Sequence, residues 1–192
     1  MAFQIVVVGC PAGGSEALAA LLAGLPKGFR WPVAVVQHRG EGDETVLSSL
    51  AGWSALPVVE AEDKQQTRPG HVYLAPEGYH LLVEDGSLAL STEAPVGSAR
   101  PSIDVLFESA AHAHTKGVIG VLLAGAGPDG AVGVARIREC GGLVVLQDPA
   151  TVEGGTVPEE VPGDVGEVLP LPAIALFLAK HGAPCRHSPA TS

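Results

Sequence analysis

The chain has 192 residues, of which 46% are hydrophobic and 17% are charged; this balance is typical of one globular domain and excludes a disordered chain. The net charge of -10 argues against a nucleic-acid partner, because binding to phosphates requires a basic surface. No apolar stretch is long enough to span a bilayer and no signal peptide opens the sequence, so we expect a cytoplasmic protein without membrane insertion.

Apolar runs and helix signals alternate along most of the chain. Short runs rich in valine, leucine and isoleucine predict strands, whereas alanine and leucine at helical spacing predict helices that end near glycine or proline. The predicted strands cover residues 5–8, 32–37, 56–59, 70–75, 80–83, 88–90, 119–124 and 143–146, and an apolar segment at 168–171 leads into the last helix. The predicted helices cover residues 15–23, 41–50, 104–114, 131–138 and 172–180.

This order of elements predicts an α/β fold. Alternating strands and helices form a mainly parallel, doubly wound sheet with helices on both faces, which is a three-layer α/β/α arrangement. The Asp85-Gly86 pair between two short strands indicates an antiparallel β-hairpin that interrupts the alternation. We expect one domain over residues 1–181 and a flexible C-terminal tail over residues 182–192.

Three unusual loops follow predicted strands, at residues 9–14, 37–42 and 125–130. The carboxyl ends of parallel strands lie at one edge of a sheet, so these loops should converge there. The second loop contains His38 and the third contains Asp129, the residue types with which a hydrolase makes a base and orients it. A serine or cysteine nucleophile is then expected in the first loop, whose tip holds Cys10 and Pro11.

Seven short sequence motifs along the chain match the pattern of one protein family. They are VGCPAGG in the first loop, VQH at the second, EAED at 60–63, RPGHVYLAP at 68–76, RPSIDVLF at 100–107, GAGPDGA in the third loop and QD at 147–148. Together, in this order and over about residues 5–178, they resemble the catalytic domain of the CheB-type chemotaxis receptor methylesterases. No single segment would be specific, so the resemblance rests on the whole series.

The resemblance implies a serine hydrolase that removes methyl esters from glutamate side chains of chemoreceptors and deamidates certain glutamines. It implies that His38 is the general base, that Asp129 orients it, and that the serine nucleophile falls on Pro11. The implied partner is a methyl-accepting chemotaxis receptor or another chemosensory protein, and no cofactor or metal is implied. The family often carries an N-terminal receiver domain, and no segment of this sequence resembles one.

Departures from the family pattern predict impaired or absent catalysis. Pro11 has no nucleophilic group and lacks a backbone N–H that would stabilise an oxyanion. Ala126 replaces a family methionine whose backbone N–H acts near the oxyanion, although alanine keeps that N–H. Residues 156–159, TVPE, replace a family segment that ends in a basic residue with one that ends in an acid.

Three alternatives remain: either of two residues could act as a substitute nucleophile, or the protein has no catalytic activity. Cys10 would be a competent nucleophile near His38 if the adjacent helix start lowered its pKa, but it lies one residue early and is otherwise a small core residue. Ser15 lies one helical turn late and is otherwise a helix cap. The third alternative is a non-catalytic chemosensory binding or scaffold protein.

The site residues also have purely structural interpretations. Without a nucleophile, His38 can be a structural residue, Asp129 can cap the helix that follows it, and Asp104 can cap or anchor its own helix. The three cysteines lie far apart, and His112 and His114 do not share a helix face, so neither a metal site nor a disulfide framework is predicted.

Overall fold

The computed structural model of the protein describes residues 4–38, 45–152, 161 and 166–182. Within them lie nine strands: β1 Ile5–Cys10, β2 Val33–Gln37, β3 Val58–Glu60, β4 Val72–Leu74, β5 His80–Val83, β6 Leu88–Ser91, β7 Val118–Leu122, β8 Leu143–Gln147 and β9 Glu167–Leu169. The same residues form five α-helices: α1 Ser15–Ala23, α2 Thr45–Trp53, α3 Ile103–His114, α4 Ala131–Glu139 and α5 Leu171–Gly182. The start of the predicted second helix, residues 156–159, Cys185 and the predicted tail from residue 183 lie outside the described residues.

Seven strands form one parallel sheet in the order β3-β4-β2-β1-β7-β8-β9, which confirms the predicted α/β fold. The strands β2, β3 and β4 lie on one side of β1. The chain then returns, and β7 pairs with the other edge of β1. The strands β5 and β6 pair antiparallel as the predicted hairpin. The crevice between β1 and β7 is therefore a topological switch point, the place where open α/β sheets bind their ligands.

Both faces of the sheet are covered. One face packs against α1, α2 and α5 through apolar residues such as Leu18, Leu50 and Ile174. The other face packs against α3, α4 and the hairpin through residues such as Phe107 and Val134. All six residues of β1 are buried, which accounts for its continuous apolar run. The predicted three-layer arrangement is thus confirmed.

The start of α3 lies directly against the carboxyl end of β1. A Cβ atom on Gly9, in β1, would lie 2.4 Å from Cγ2 of Ile103, so only glycine permits this approach without a shift of one element. Ile103 is the first residue of α3. The N-terminus of α3 is therefore held at the edge of the sheet where the three unusual loops begin.

Candidate active site

A cleft with a volume of about 610 Å³ opens at the carboxyl edge of the sheet. Its walls come from the end of β2, from the loop that leads into α4, and from the segment 95–101 before α3. His38 and Asp129 both line it, so the second and third predicted loops do converge. The first loop does not line the cleft, but it supports His38, because the carbonyl of Cys10 accepts the backbone N–H of His38 at 2.9 Å.

His38 and Asp129 form a close pair in this cleft. Nε2 of His38 lies 3.0 Å from Oδ2 of Asp129, and 21% and 11% of their side chains are exposed. The two groups are in ion-pair range, although the imidazole is not aligned closely enough for a hydrogen bond, which is common for such pairs without a bound substrate. A carboxylate beside Nε2 favours the tautomer protonated there, and this leaves Nδ1 as the basic nitrogen.

Asp129 is held by the N-terminus of α3. It accepts hydrogen bonds from Oγ of Ser102 at 2.9 Å, from the backbone N–H of Ile103 at 2.6 Å and from that of Asp104 at 3.0 Å. Burial raises the pKa of Asp129, but the contact with His38 and these hydrogen bonds outweigh burial and hold the pKa below its usual range. Asp129 is therefore an ionised carboxylate at neutral pH, as a residue that orients a histidine base must be.

The expectation that Asp129 caps the following helix is wrong. The N-cap of α4 is Gly130, without a side-chain hydrogen bond, whereas Asp129 binds the first N–H groups of α3. Asp104 in turn accepts the backbone N–H groups of Gly130 and Gly133, at 3.0 and 2.8 Å, so it serves α4 and not its own helix. Each of the two carboxylates thus completes the start of the other one's helix.

The first loop is closed against the third. Pro11 is buried at its tip, and the carbonyl of Pro11 accepts the N–H of Gly14 at 3.1 Å. The backbone N–H of Ala126 donates to the carbonyl of Ala12 at 3.0 Å. The N–H group that the family resemblance associates with an oxyanion is therefore engaged within the protein.

Neither of the possible substitute nucleophiles lines the cleft. The side chain of Cys10 has no exposed surface, and burial raises the pKa of its thiol to about 12, the opposite of the shift that activates a cysteine. The hydroxyl of Ser15 accepts a hydrogen bond from Nε2 of Gln37 at 2.8 Å. Its partner is thus a donor amide and not a base.

Comparison with known proteins gives the family. A model of the family described as CheB methylesterase matches residues 6–178. The chain belongs to the CheB methylesterase family. A putative protein-glutamate methylesterase/protein-glutamine glutaminase of Leptospira interrogans is 42% identical to it over 160 residues, which are 82% of this chain and 83% of that protein.

Other members of the CheB family extend well beyond the matched region. The protein-glutamate methylesterase FrzG of Myxococcus xanthus is 39% identical over 180 residues, which are 92% of this chain but only 54% of FrzG. The crystal structure of the Thermotoga maritima CheB methylesterase catalytic domain superposes with a TM-score of 0.86 and 32% identity, covering 94% of this chain and 99% of that one. The chain thus corresponds to a CheB catalytic domain and spans about half the length of longer relatives such as FrzG.

Two further residues support Asp129 in this CheB-family chain: Ser102, which sequence reasoning missed, and His80, which matches a family position and for which the sequence favours a surface or packing role. Ser102 is fully buried, caps α3 through the N–H of Val105 and donates its hydroxyl to Asp129. His80 is also buried; its Nδ1 accepts the N–H of Ser102 at 3.3 Å, and its Nε2 lies 3.1 Å from the carbonyl of Ala94. A serine directly before a helix was the available signal for Ser102, but nothing local indicated its second partner.

Two kinds of feature are not found in the described part of this CheB-family chain. No three histidine, cysteine, aspartate or glutamate side chains within it are grouped so as to hold a metal ion. None of its helices combines the length and the hydrophobicity needed to cross a bilayer.

Proposed function

We propose that this CheB-family protein binds a methyl-accepting chemotaxis receptor, or another chemosensory protein, with impaired or absent ester hydrolysis. The observation that carries the proposal is Pro11, which the family resemblance aligns with the nucleophilic serine, next to a cleft that keeps His38 and Asp129 in contact. Loss of the nucleophile from a Ser-His-Asp site lowers its rate by several orders of magnitude. Binding does not require the nucleophile.

The shape of the cleft supports the binding part of the proposal. Its volume of about 610 Å³ is in the range of sites that enclose small ligands, and a glutamyl methyl ester or a glutamine side chain would fit. The imidazole of His38, which lines the cleft, can exchange a hydrogen bond with an ester or amide. Val96, in the wall of the cleft, is 43% exposed and offers apolar contact to the receptor helix that carries such a side chain. A receptor partner of this kind implies a cytoplasmic location.

The geometry around the other nucleophile candidates favours the same proposal. A buried thiol with a pKa near 12 is almost entirely protonated at neutral pH, so Cys10 would be a poor nucleophile. The hydroxyl of Ser15 contacts the amide of Gln37, and an amide cannot take up its proton. Both residues are better explained as structural, Cys10 in the core and Ser15 at the start of α1.

The decisive experiment measures methanol release from a methylated chemoreceptor. The natural chain is compared with Pro11→Ser, which restores a nucleophile, and with Pro11→Ala, which removes the proline ring without adding one. A Pro11→Ser protein that also carries His38→Gln tests whether any restored activity depends on the base. Binding of the methylated receptor fragment is measured in parallel by fluorescence anisotropy.

We expect binding by all four proteins and methanol release by Pro11→Ser alone. Release by the natural chain as fast as by Pro11→Ser would refute impaired hydrolysis and would make Cys10 and Ser15 the next residues to replace. Absence of binding by every protein would refute the receptor as partner. Activity of Pro11→Ser that survives His38→Gln would refute the assigned role of His38.

A further inference from the structure

The starts of α3 and α4 are joined by two exchanged carboxylates. Asp129, directly before Gly130 and α4, accepts the first N–H groups of α3. Asp104, in the first turn of α3, accepts the N–H groups of Gly130 and Gly133 with its Oδ1. The two helix starts are therefore held together by four hydrogen bonds from backbone N–H groups to carboxylate oxygens, two in each direction.

The two helices also lie in close contact at Gly133. A Cβ atom on Gly133 would lie 2.4 Å from Cβ of Phe107 and 3.2 Å from Cα of Asp104. Backbone therefore lies against backbone at the point where Asp104 reaches the start of α4, and no flexible side chain separates the two. Asp104 therefore has little room to move relative to the start of α4.

Asp129, which faces His38, belongs to this set of hydrogen bonds. Asp104 binds the N–H of Gly130, the residue next to Asp129, so it fixes the backbone from which the Asp129 side chain extends. The N–H of Asp104 itself donates to Oδ1 of Asp129. Ser102 already provides an N-cap for α3. The N-cap of α4, Gly130, has no side-chain hydrogen bond, so Asp104 supplies the acceptor for the first N–H groups of α4.

The carboxyl groups of Asp104 and Asp129 influence each other's ionisation. Burial raises the pKa of Asp104 to about 6, and the neighbouring carboxylate of Asp129 adds to the shift while the N–H groups of Gly133 and Gly130 oppose it. Beyond Asp129 lies His38, and His80 stands behind Ser102 on the other side. Asp104 therefore changes its charge within the pH range in which a histidine also titrates.

We propose that Asp104 is a positioning residue for the His38–Asp129 pair: it fixes the backbone that carries Asp129, and its charge adjusts the proton affinity of His38 through Asp129. This role does not depend on ester hydrolysis or on any receptor. It applies to the pair as a hydrogen-bonding site as well as to a base.

The test is a titration of the His38 imidazole by two-dimensional NMR on the full chain, without substrate. The spectrum of His38→Gln identifies its signals. The natural protein is compared with Asp104→Asn, which keeps an acceptor oxygen but no charge, and with Glu108→Gln, which removes a charge one turn later on the same helix. Because no receptor is used, a failure here is distinguishable from a failure of the proposed function.

In the natural protein we expect the His38 signals to show a transition near pH 6, where Asp104 changes its charge. In Asp104→Asn we expect a single-site curve whose midpoint is lower by about half a pH unit, or threefold in proton affinity, the size expected for one nearby charge at a protein surface. The Glu108→Gln protein should behave like the natural one. A shift in Asp104→Asn no larger than that in Glu108→Gln would overturn the proposal.

A second measurement needs no variant. The amide groups of Gly130 and Gly133 donate to Asp104, so their NMR signals in the natural protein should shift as Asp104 changes its charge. The midpoint of that shift should coincide with the transition seen in the His38 signals. Independent midpoints for the amides and the imidazole would overturn the proposal even if Asp104→Asn failed to fold.

Discussion

Replacing Asp129 by alanine should destabilise the protein strongly, although Asp129 belongs to the candidate active site. The change removes the acceptor of two backbone N–H groups at the start of α3, at 2.6 and 3.0 Å, and of the Ser102 hydroxyl. Hydrogen bonds to a charged acceptor are each worth about 1.5 kcal/mol or more. The two backbone donors cannot turn to other partners, so together they account for about 3 kcal/mol.

Two smaller effects nearly cancel. The lost attraction between the carboxylate and the N-terminus of α3 adds about 0.5 kcal/mol to the destabilisation. Relief of the repulsion between Asp129 and Asp104 returns about 1 kcal/mol or less, because Asp104 is partly exposed and solvent screens it. The net loss in the free energy of unfolding is therefore about 3 kcal/mol, or a fall in Tm of about 6 to 12 °C.

The assay is urea unfolding followed by far-UV circular dichroism. Asp63→Ala is the matched control, because Asp63 is exposed and accepts one backbone N–H, that of Leu90; its loss should cost about 1 kcal/mol or less. The pKa of Asp129 lies below its usual range, so its contribution is present above the ordinary carboxyl pKa and is lost as the pH falls through the lowered pKa. A loss for Asp129→Ala no larger than that for Asp63→Ala at pH 7 would refute the reasoning.

Three further predictions follow from packing and charge. Of the two cysteines in the described residues, the partly exposed Cys140 should react with a thiol reagent in the native protein and the buried Cys10 only on unfolding; rapid native labelling of Cys10, seen by peptide mass spectrometry, would contradict this. Gly133→Ala should cost about 2 kcal/mol of stability through the clash with α3, whereas Gly52→Ala, which meets open space in α2, should gain up to about 1 kcal/mol; equal effects in urea unfolding would be inconsistent with the close approach. The pKa of Asp104 is raised in the folded protein, so the folded state is stabilised when Asp104 is protonated, and this stabilisation is lost as the pH rises through about 6. The free energy of unfolding of Asp104→Asn should therefore equal that of the natural protein near pH 4 and exceed it by about 1 kcal/mol near pH 7.5, after allowance for the partial exposure of Asp104. Parallel curves of stability against pH for the two proteins would exclude this.

The fold was predictable because its signals are local or periodic. The helix predicted at 15–23 is α1 at the same residues, since the glycines before it and after it bound an alanine- and leucine-rich run. The strand predicted at 5–8 continues to Cys10, because Gly9 and Cys10 pair with β2. That pairing is a contact between distant segments, and the local sequence at Gly9 indicates only a turn.

The candidate site was predictable in part. The convergence of His38 and Asp129 follows from strand order and loop position, and the structure places them 3.0 Å apart. The exchange of carboxylates between Asp104 and Asp129 was not predictable, because its partners lie 25 to 29 residues apart. Capping rules describe a residue and its own helix, so they assigned each aspartate to the wrong one.

The exchanged carboxylates also determine how the starts of α3 and α4 unfold locally. Neither α3 nor α4 has all its first-turn N–H groups paired until the other helix is in place, although β7 separates the two along the chain. Fraying of one helix start removes an acceptor from the other, so the two should unfold locally as one cooperative unit. Amide hydrogen exchange at both helix starts should then share a single opening free energy. The cleft beside them keeps its shape for as long as that unit stays closed.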